Sequence, residues 1–130
     1  VVLKNVLIHK PDYRRFKIRN QKLRSDFQMI EDVLKRRFKQ NWEISNLIVI
    51  DGGKPQVRTV LKVLSSLKIS LSVIGLAKNP DRLVIGISGI PTVHFLTGNK
   101  GFNLIRLIRD ESHRFARKYH LFLRNRNFLL

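Results

Sequence analysis

The sequence has 130 residues, 43% of them apolar, and carries 26 Lys and Arg against nine Asp and Glu, a formal charge of +17. That size and apolar content fit a single domain spanning residues 1–130 and exclude a disordered tail, while so large a cation surplus points to a polyanionic partner, nucleic acid above all. No apolar run approaches the roughly 20 residues of a membrane span, the N-terminus does not read as a signal peptide, and a chain without cysteine has neither disulfides nor thiolate metal sites; a cytosolic location and no membrane partner are expected.

In chain order, "VVLKNVLI" and "DYRRFKI" read as two strands joined at "HKPD", where Pro11 interrupts. In the second, Tyr13, Arg15 and Lys17 share one face. Residues 26–39 form an amphipathic helix with Phe27, Ile30, Val33, Leu34 and Phe38 on one stripe. Ser25 followed by Gln28 matches a capping box, placing Asp26 at the first helical position. "LIVI" is a continuously apolar strand of the kind buried on both faces of a sheet. Pro55 suits the first turn of a helix reaching about Lys68, with Val57, Val60, Leu61, Leu64 and Leu67 turned inward. "SLSVIGLA" is a further strand, "DRLVIGISGIPTVHFL" a hairpin with glycine-containing turns, and a long helix runs from about Asn99 to Arg124. The order predicts an α/β domain with a mixed sheet flanked by helices.

Chemistry concentrates at two places. Asp51 ends the apolar strand and is followed by Gly52, Gly53 and Lys54. Ligands of open α/β sheets bind at that carboxyl edge, and the glycines leave room for a phosphate or a hydrated cation to approach the backbone. An ordinary Asp-Gly turn accounts equally well for these residues. The spacing is not that of a nucleotide-binding P-loop, since Pro55 stands where the hydroxyl residue belongs. Lys54 is placed to touch phosphate or simply to be solvated.

On the last helix, Leu104, Ile108, Phe115, Tyr119 and Phe122 fall on one stripe. The opposite face carries Arg106, Arg109, His113, Arg117, His120 and Arg124. This is either a solvated charged face or a phosphate-tracking ridge whose His113 ligates a metal or transfers a proton. Asp26, in a first helical turn, is explained by the helix dipole alone. His9, His94, Glu31, Asp32, Glu43 and Asp81 show no partner pattern and receive no role.

Five collinear segments, "DYRRFKI", "SDFQMIEDVLKRRF", "LIVIDGGKPQ", "VIGLAK" and "IRDESHRFARKYH", resemble the C-terminal endonuclease domain of UvrC, the incision subunit of bacterial UvrABC nucleotide excision repair. The resemblance implies a ribonuclease-H-like fold, 5′ incision of damaged DNA, a Mg²⁺ or Mn²⁺ cofactor, and UvrB and UvrA as partners of the parent protein. It also implies roles: Asp51 as the catalytic, metal-binding aspartate of an "IDGGK" motif, His113 as the active-site, metal-binding histidine of a "RDEAHRF" motif, and Asp26 as the second aspartate of a "DDY" motif. Lys54, Arg106, Arg109, Arg117, His120 and Arg124 are then the nucleic-acid contacts.

The departures are specific. Val1–Leu3 match the end of the family's second strand, so the first strand and its aspartate are expected to be missing, as is the helix-hairpin-helix tandem. Ser25 replaces the first acid of "DDY", Pro55 replaces a glycine, and Arg117-Lys118 follow "HRFA". Two readings follow: a metal-dependent DNA endonuclease domain, or a non-catalytic basic nucleic-acid-binding remnant with the same fold. An RNA-binding protein of ribosomal type accounts for the charge but leaves the motifs as accidents.

Overall fold

A computed structural model describes residues 1–18, 22, 25–87, 90–94 and 100–128. The chain divides into two compact units, Phe16–Thr97 and Val1–Arg15 with Gly98–Leu130. The first contains two helices and a four-stranded sheet; the second contains a short hairpin and the last helix. The element content is the mixed α/β set expected of a ribonuclease-H-like domain.

In the sheet-bearing unit, helix α1 spans Asp26–Phe38. Its start is the predicted capping box: the Gln28 amide donates to Ser25 Oγ at 3.2 Å, and the Ser25 amide donates to Gln28 Oε1 at 3.5 Å. Asp26 occupies the first helical position. Two i,i+4 ion pairs, Glu31 with Lys35 at 2.8 Å and Asp32 with Arg36 at 3.2 Å, neutralise much of its outward charge. Leu34 is buried, and Ile30 and Phe38 pack against the core. Phe27, predicted on the inward stripe, is 41% exposed, because the first turn of α1 begins beyond the edge of that core.

Strand β3 (Leu47–Asp51) leads into helix α2 (Lys54–Ser66), which returns to β4 (Ser72–Ala77); β5 (Arg82–Ile87) and β6 (Ile90–His94) complete the sheet. The predicted hairpin is β5 and β6, and its turn at 88–89 lies outside the described residues. The order is β3-β4-β5-β6, with β3 and β4 parallel and the remaining pairs antiparallel. Helix α2 covers one face: Val57, Val60, Val63 and Leu64 are buried together with Val73 of β4 and Val84 of β5.

The tightest seam lies beneath Val57. A Cβ on Gly75 would come 2.6 Å from Val57 Cγ2, and one on Gly86 would come 2.8 Å from Val57 Cγ1. Glycine on two adjacent strands therefore lets the helix sit down on the sheet, and that fixes the turn joining β3 to α2.

The structure corrects the sequence expectation at β3. The apolar run of β3 predicts burial on both faces, but among the described residues β3 lies at one end of the sheet order and pairs only with β4. Leu47 is 39% exposed and Ile48, Val49 and Ile50 are half-buried. An unbroken apolar run signals a strand without saying how many neighbours it has.

In the smaller unit, "VVLKNVLI" is not one strand but a hairpin in itself, β1 (Leu3–Lys4) against β2 (Leu7–Ile8). Its turn places Asn5 at φ 50° and Val6 at φ 69°, the left-handed pair that a two-residue hairpin loop demands. The β-branched Val6 is strained in that conformation, which is why the sequence shows no turn signal there. Pro11 lies in a single 3₁₀ turn, Lys10–Asp12, tied to β1 by the Lys4 ammonium 2.8 Å from Asp12. That hydrogen bond holds the Asp12 carboxyl below its ordinary range. Residues 12–18, predicted as the second strand, form no strand, and Asp12 belongs to the 3₁₀ turn. Helix α3 spans Lys100–Phe128; Asn99, its predicted first residue, lies outside the described residues.

Candidate active site and nucleic-acid interface

Asp51 is the last residue of β3, in register with Leu76 of β4, and its side chain is exposed. The next two residues are pinned by their own amides. Gly52 N–H donates to the Leu76 carbonyl at 3.1 Å, and Gly53 N–H donates to Gln56 Oε1 at 3.0 Å, one turn into α2. Lys54 then opens α2, exposed, so a carboxylate and an ammonium flank one rigid two-glycine turn at the carboxyl end of a strand.

The glycines serve different purposes. A Cβ on Gly52 would fall 2.7–2.9 Å from the Gln56 side chain, so the bare position makes room for the capping amide rather than for a ligand. At Gly53 the nearest atom to such a Cβ would be 3.8 Å away, and there the backbone is open to an approaching group. Asp26 belongs to the same unit but heads α1, where it is exposed in the first turn. The structure gives it the dipole-favoured position that the sequence already explains.

The remaining predicted residues all lie on α3, in the other unit, and the ridge is not uniform. Arg117, His120 and Arg124 are exposed. Arg106 folds its guanidinium over the Phe102 ring, 4.3 Å from the centroid. The Arg109 side chain is only 13% exposed, with Nε donating to Asp110 Oδ1 at 3.1 Å. His113 is half-buried between these two regimes. The outer half of the helix is therefore the part open to a polyanion. Arg117→Ala and Arg124→Ala are each expected to reduce the salt slope of duplex DNA binding by about 0.9. Arg109→Ala is expected to act mainly on the melting temperature, and affinity titrations from low to moderate salt alongside thermal melts separate the two effects.

Glu111 is the residue that sequence reasoning missed. Arg114 grips it with Nε at 2.8 Å from Oε2 and Nη2 at 2.5 Å from Oε1, and the Tyr13 hydroxyl donates to Oε1 at 3.1 Å. Tyr13 also packs edge-on against Phe115 with centroids 5.1 Å apart, and the Arg15 guanidinium lies 4.5 Å from the centre of the same ring. The N-terminal segment is thus fastened to α3 in the turn that carries His113. The i,i+3 spacing of Glu111 and Arg114 is a signal visible in the sequence; the Tyr13 hydroxyl, 98 residues away, is not.

The Arg114 hydrogen bonds first, with the Tyr13 hydroxyl assisting, pull the Glu111 carboxyl from its ordinary 4.5 down to about 2. Burial opposes that fall, and the Tyr13 phenol is pushed up by burial and by its bond to Glu111. A carboxyl lowered on folding stabilises the fold above its ordinary value and loses that contribution as pH falls toward its folded value. Thermal melts between pH 4.5 and 2 are therefore expected to show falling stability. Glu111→Gln is expected to start lower at neutral pH and to fall less steeply across that window.

Donor chemistry at Asp51 fits a hard divalent cation: a carboxylate oxygen on an exposed edge beside open backbone at Gly53. Among the described residues, no three His, Asp or Glu side chains form a group able to hold a metal by themselves. Mg²⁺ does not require one, since it keeps several waters and takes one or two carboxylates together with substrate phosphate. No helix is long and apolar enough to cross a membrane among the described residues.

Residues 1–116 match the family described as the UvrC RNAse H endonuclease domain. The chain is 38% identical to the UvrABC system protein C of Chlorobium chlorochromatii over 89% of its own length and 19% of that protein's. It is 38% identical to the protein of that name from Chlorobium phaeobacteroides, over 92% of this chain and 20% of the relative. It is 36% identical to the one from Petrotoga mobilis, over 92% of this chain and 21% of the relative. The chain thus spans about a fifth of the length of the curated relatives it matches.

Proposed function

The chain belongs to the UvrC RNase H endonuclease domain family, and from that premise we propose that it is the part of a UvrABC-type repair protein that hydrolyses a phosphodiester of damaged DNA on the 5′ side of the lesion. UvrA and UvrB are the proposed partners in nucleotide excision repair, and the cytoplasm is the proposed location. The observation that carries the reading is the placement of Asp51: an exposed carboxylate at the carboxyl end of β3, one rigid turn from the Lys54 ammonium.

Asp51 and His113 are the proposed ligands of Mg²⁺ or Mn²⁺, which when bound would supply Lewis-acid charge at the scissile phosphate and lower the pKa of the attacking water. The protein's own residues do the rest. Lys54 meets phosphate charge beside Asp51, and the second ring nitrogen of a metal-ligating His113 carries the N–H and donates a hydrogen bond that fixes the ring. Arg117, His120 and Arg124 bind backbone phosphates along α3 with Arg106 and Arg109 behind them, and Asp26 supplies the second carboxylate implicated in incision.

The test is strand nicking of lesion-containing duplex DNA with UvrA and UvrB, titrating Mg²⁺ or Mn²⁺ and then adding a chelator. Nicking that rises with the metal and stops with the chelator supports the endonuclease. DNA binding without nicking at every metal concentration would assign the chain the binding-only role instead.

A further inference from the structure

Helix α2 carries three basic residues and no acid. Its inner face is the buried row Val57, Val60, Val63 and Leu64. Its outer face presents Lys54, Arg58 and Lys62, each four residues from the next and all three exposed. At the rise of an α-helix this is a straight row about 12 Å long.

Nothing among the described residues accounts for that row. Like charges four residues apart disfavour a helix, and Lys54 at the first position opposes the positive end of the helix dipole. The other two helices answer part of their charge internally, α1 with Glu31–Lys35 and Asp32–Arg36, α3 with Arg109–Asp110 and Glu111–Arg114, whereas α2 has no acid to do so. Among the described residues, no carboxylate pairs with Lys54, Arg58 or Lys62. A helix that carries unanswered cations in a row is stabilised by an external polyanion. The row's head is Lys54, so a backbone lying along it runs directly to the Asp51 turn.

We propose that Lys54, Arg58 and Lys62 form a phosphate track that seats the DNA backbone along α2 and delivers it to Asp51. The choice of DNA rests on the endonuclease reading; the track itself rests on the α2 charges. The test uses the doubly substituted Arg58→Gln, Lys62→Gln protein, which leaves Lys54 and Asp51 untouched. Duplex DNA binding is titrated in chelator from about 50 to 200 mM salt, a range over which phosphate contacts dominate the salt dependence.

The salt slope is expected to fall by about 1.8, with affinity near 0.1 M salt reduced by more than tenfold. A fall no larger than that of Lys39→Gln, an exposed cation just past the end of α1 and off the row, would overturn the track. So would an unchanged slope accompanied by lost binding to phosphatidylserine vesicles, which would make the row a lipid contact. Working in chelator keeps this result separate from catalysis. An unchanged slope removes the track whether or not Asp51→Asn stops nicking, and a reduced slope keeps it even if nicking survives that substitution.

Discussion

Asp51→Asn is expected to lower the metal-dependent nicking rate by roughly 10²–10⁴-fold, the range associated with a positioned acid–base or charge-stabilising group. The substitution keeps the shape of the side chain and removes its charge. Asp51 is exposed and contributes nothing to the cluster built on Val57, Val60, Val73 and Val84, so stability is expected to stay within about 0.5 kcal/mol of the unsubstituted protein. Single-turnover nicking, DNA affinity and a thermal melt measured together separate the possibilities. Lost nicking with intact affinity and melting supports the assignment, and retained nicking removes Asp51 from the chemistry.

The largest expected effect on the fold comes from Gly75. A Cβ there would sit 2.5 Å from the Gly52 carbonyl oxygen and 2.6 Å from Val57 Cγ2. The first obstacle is backbone, and that backbone is held by the Gly52 amide on Leu76 and the Gly53 amide on Gln56. Gly75→Ala must therefore move the Asp51 turn or lift α2, at a cost of about 1–3 kcal/mol.

The same clash at Gly86 is softer, since its nearest neighbours would be the side chains of Val57 at 2.8 Å and Leu61 at 3.1 Å. At Gly53 the nearest atom would be 3.8 Å away. The expected order of destabilisation in denaturant melts is Gly75→Ala, then Gly86→Ala, with Gly53→Ala smallest. Gly75→Ala is also expected to depress nicking, because it displaces the carboxylate without altering it. An equal loss at all three positions would contradict the packing account.

Much of this fold is legible in the sequence alone. The Ser25–Gln28 capping box, the inward valines of α2, the β5–β6 hairpin and the length of α3 are local patterns, and local patterns write themselves into short stretches of sequence. Strand alternation puts Tyr13 and Arg15 on one face, and both do pack on Phe115, although no strand forms there.

What escapes a sequence reading is non-local. Whether β3 has one neighbour or two depends on the whole sheet order, and the left-handed pair Asn5–Val6 contradicts the β-branched propensity of valine. The α3 ridge looks uniform on a helical projection because projection records angle and not what covers each side chain. Phe102 and Asp110 engage Arg106 and Arg109, while Arg117, His120 and Arg124 stay open. At the Asp51 turn, the residue types suggest a ligand cradle at both glycines, and the side chain of Gln56 decides that only Gly53 is open.

The central proposal is that Asp51 binds the divalent cation, and paramagnetic line broadening by Mn²⁺ tests it without relying on turnover. In amide spectra of the protein titrated with substoichiometric Mn²⁺, signals of Gly52 and Gly53 are predicted to broaden, with the effect lost in Asp51→Asn. No broadening at these two glycines, or broadening that survives Asp51→Asn, would contradict the account.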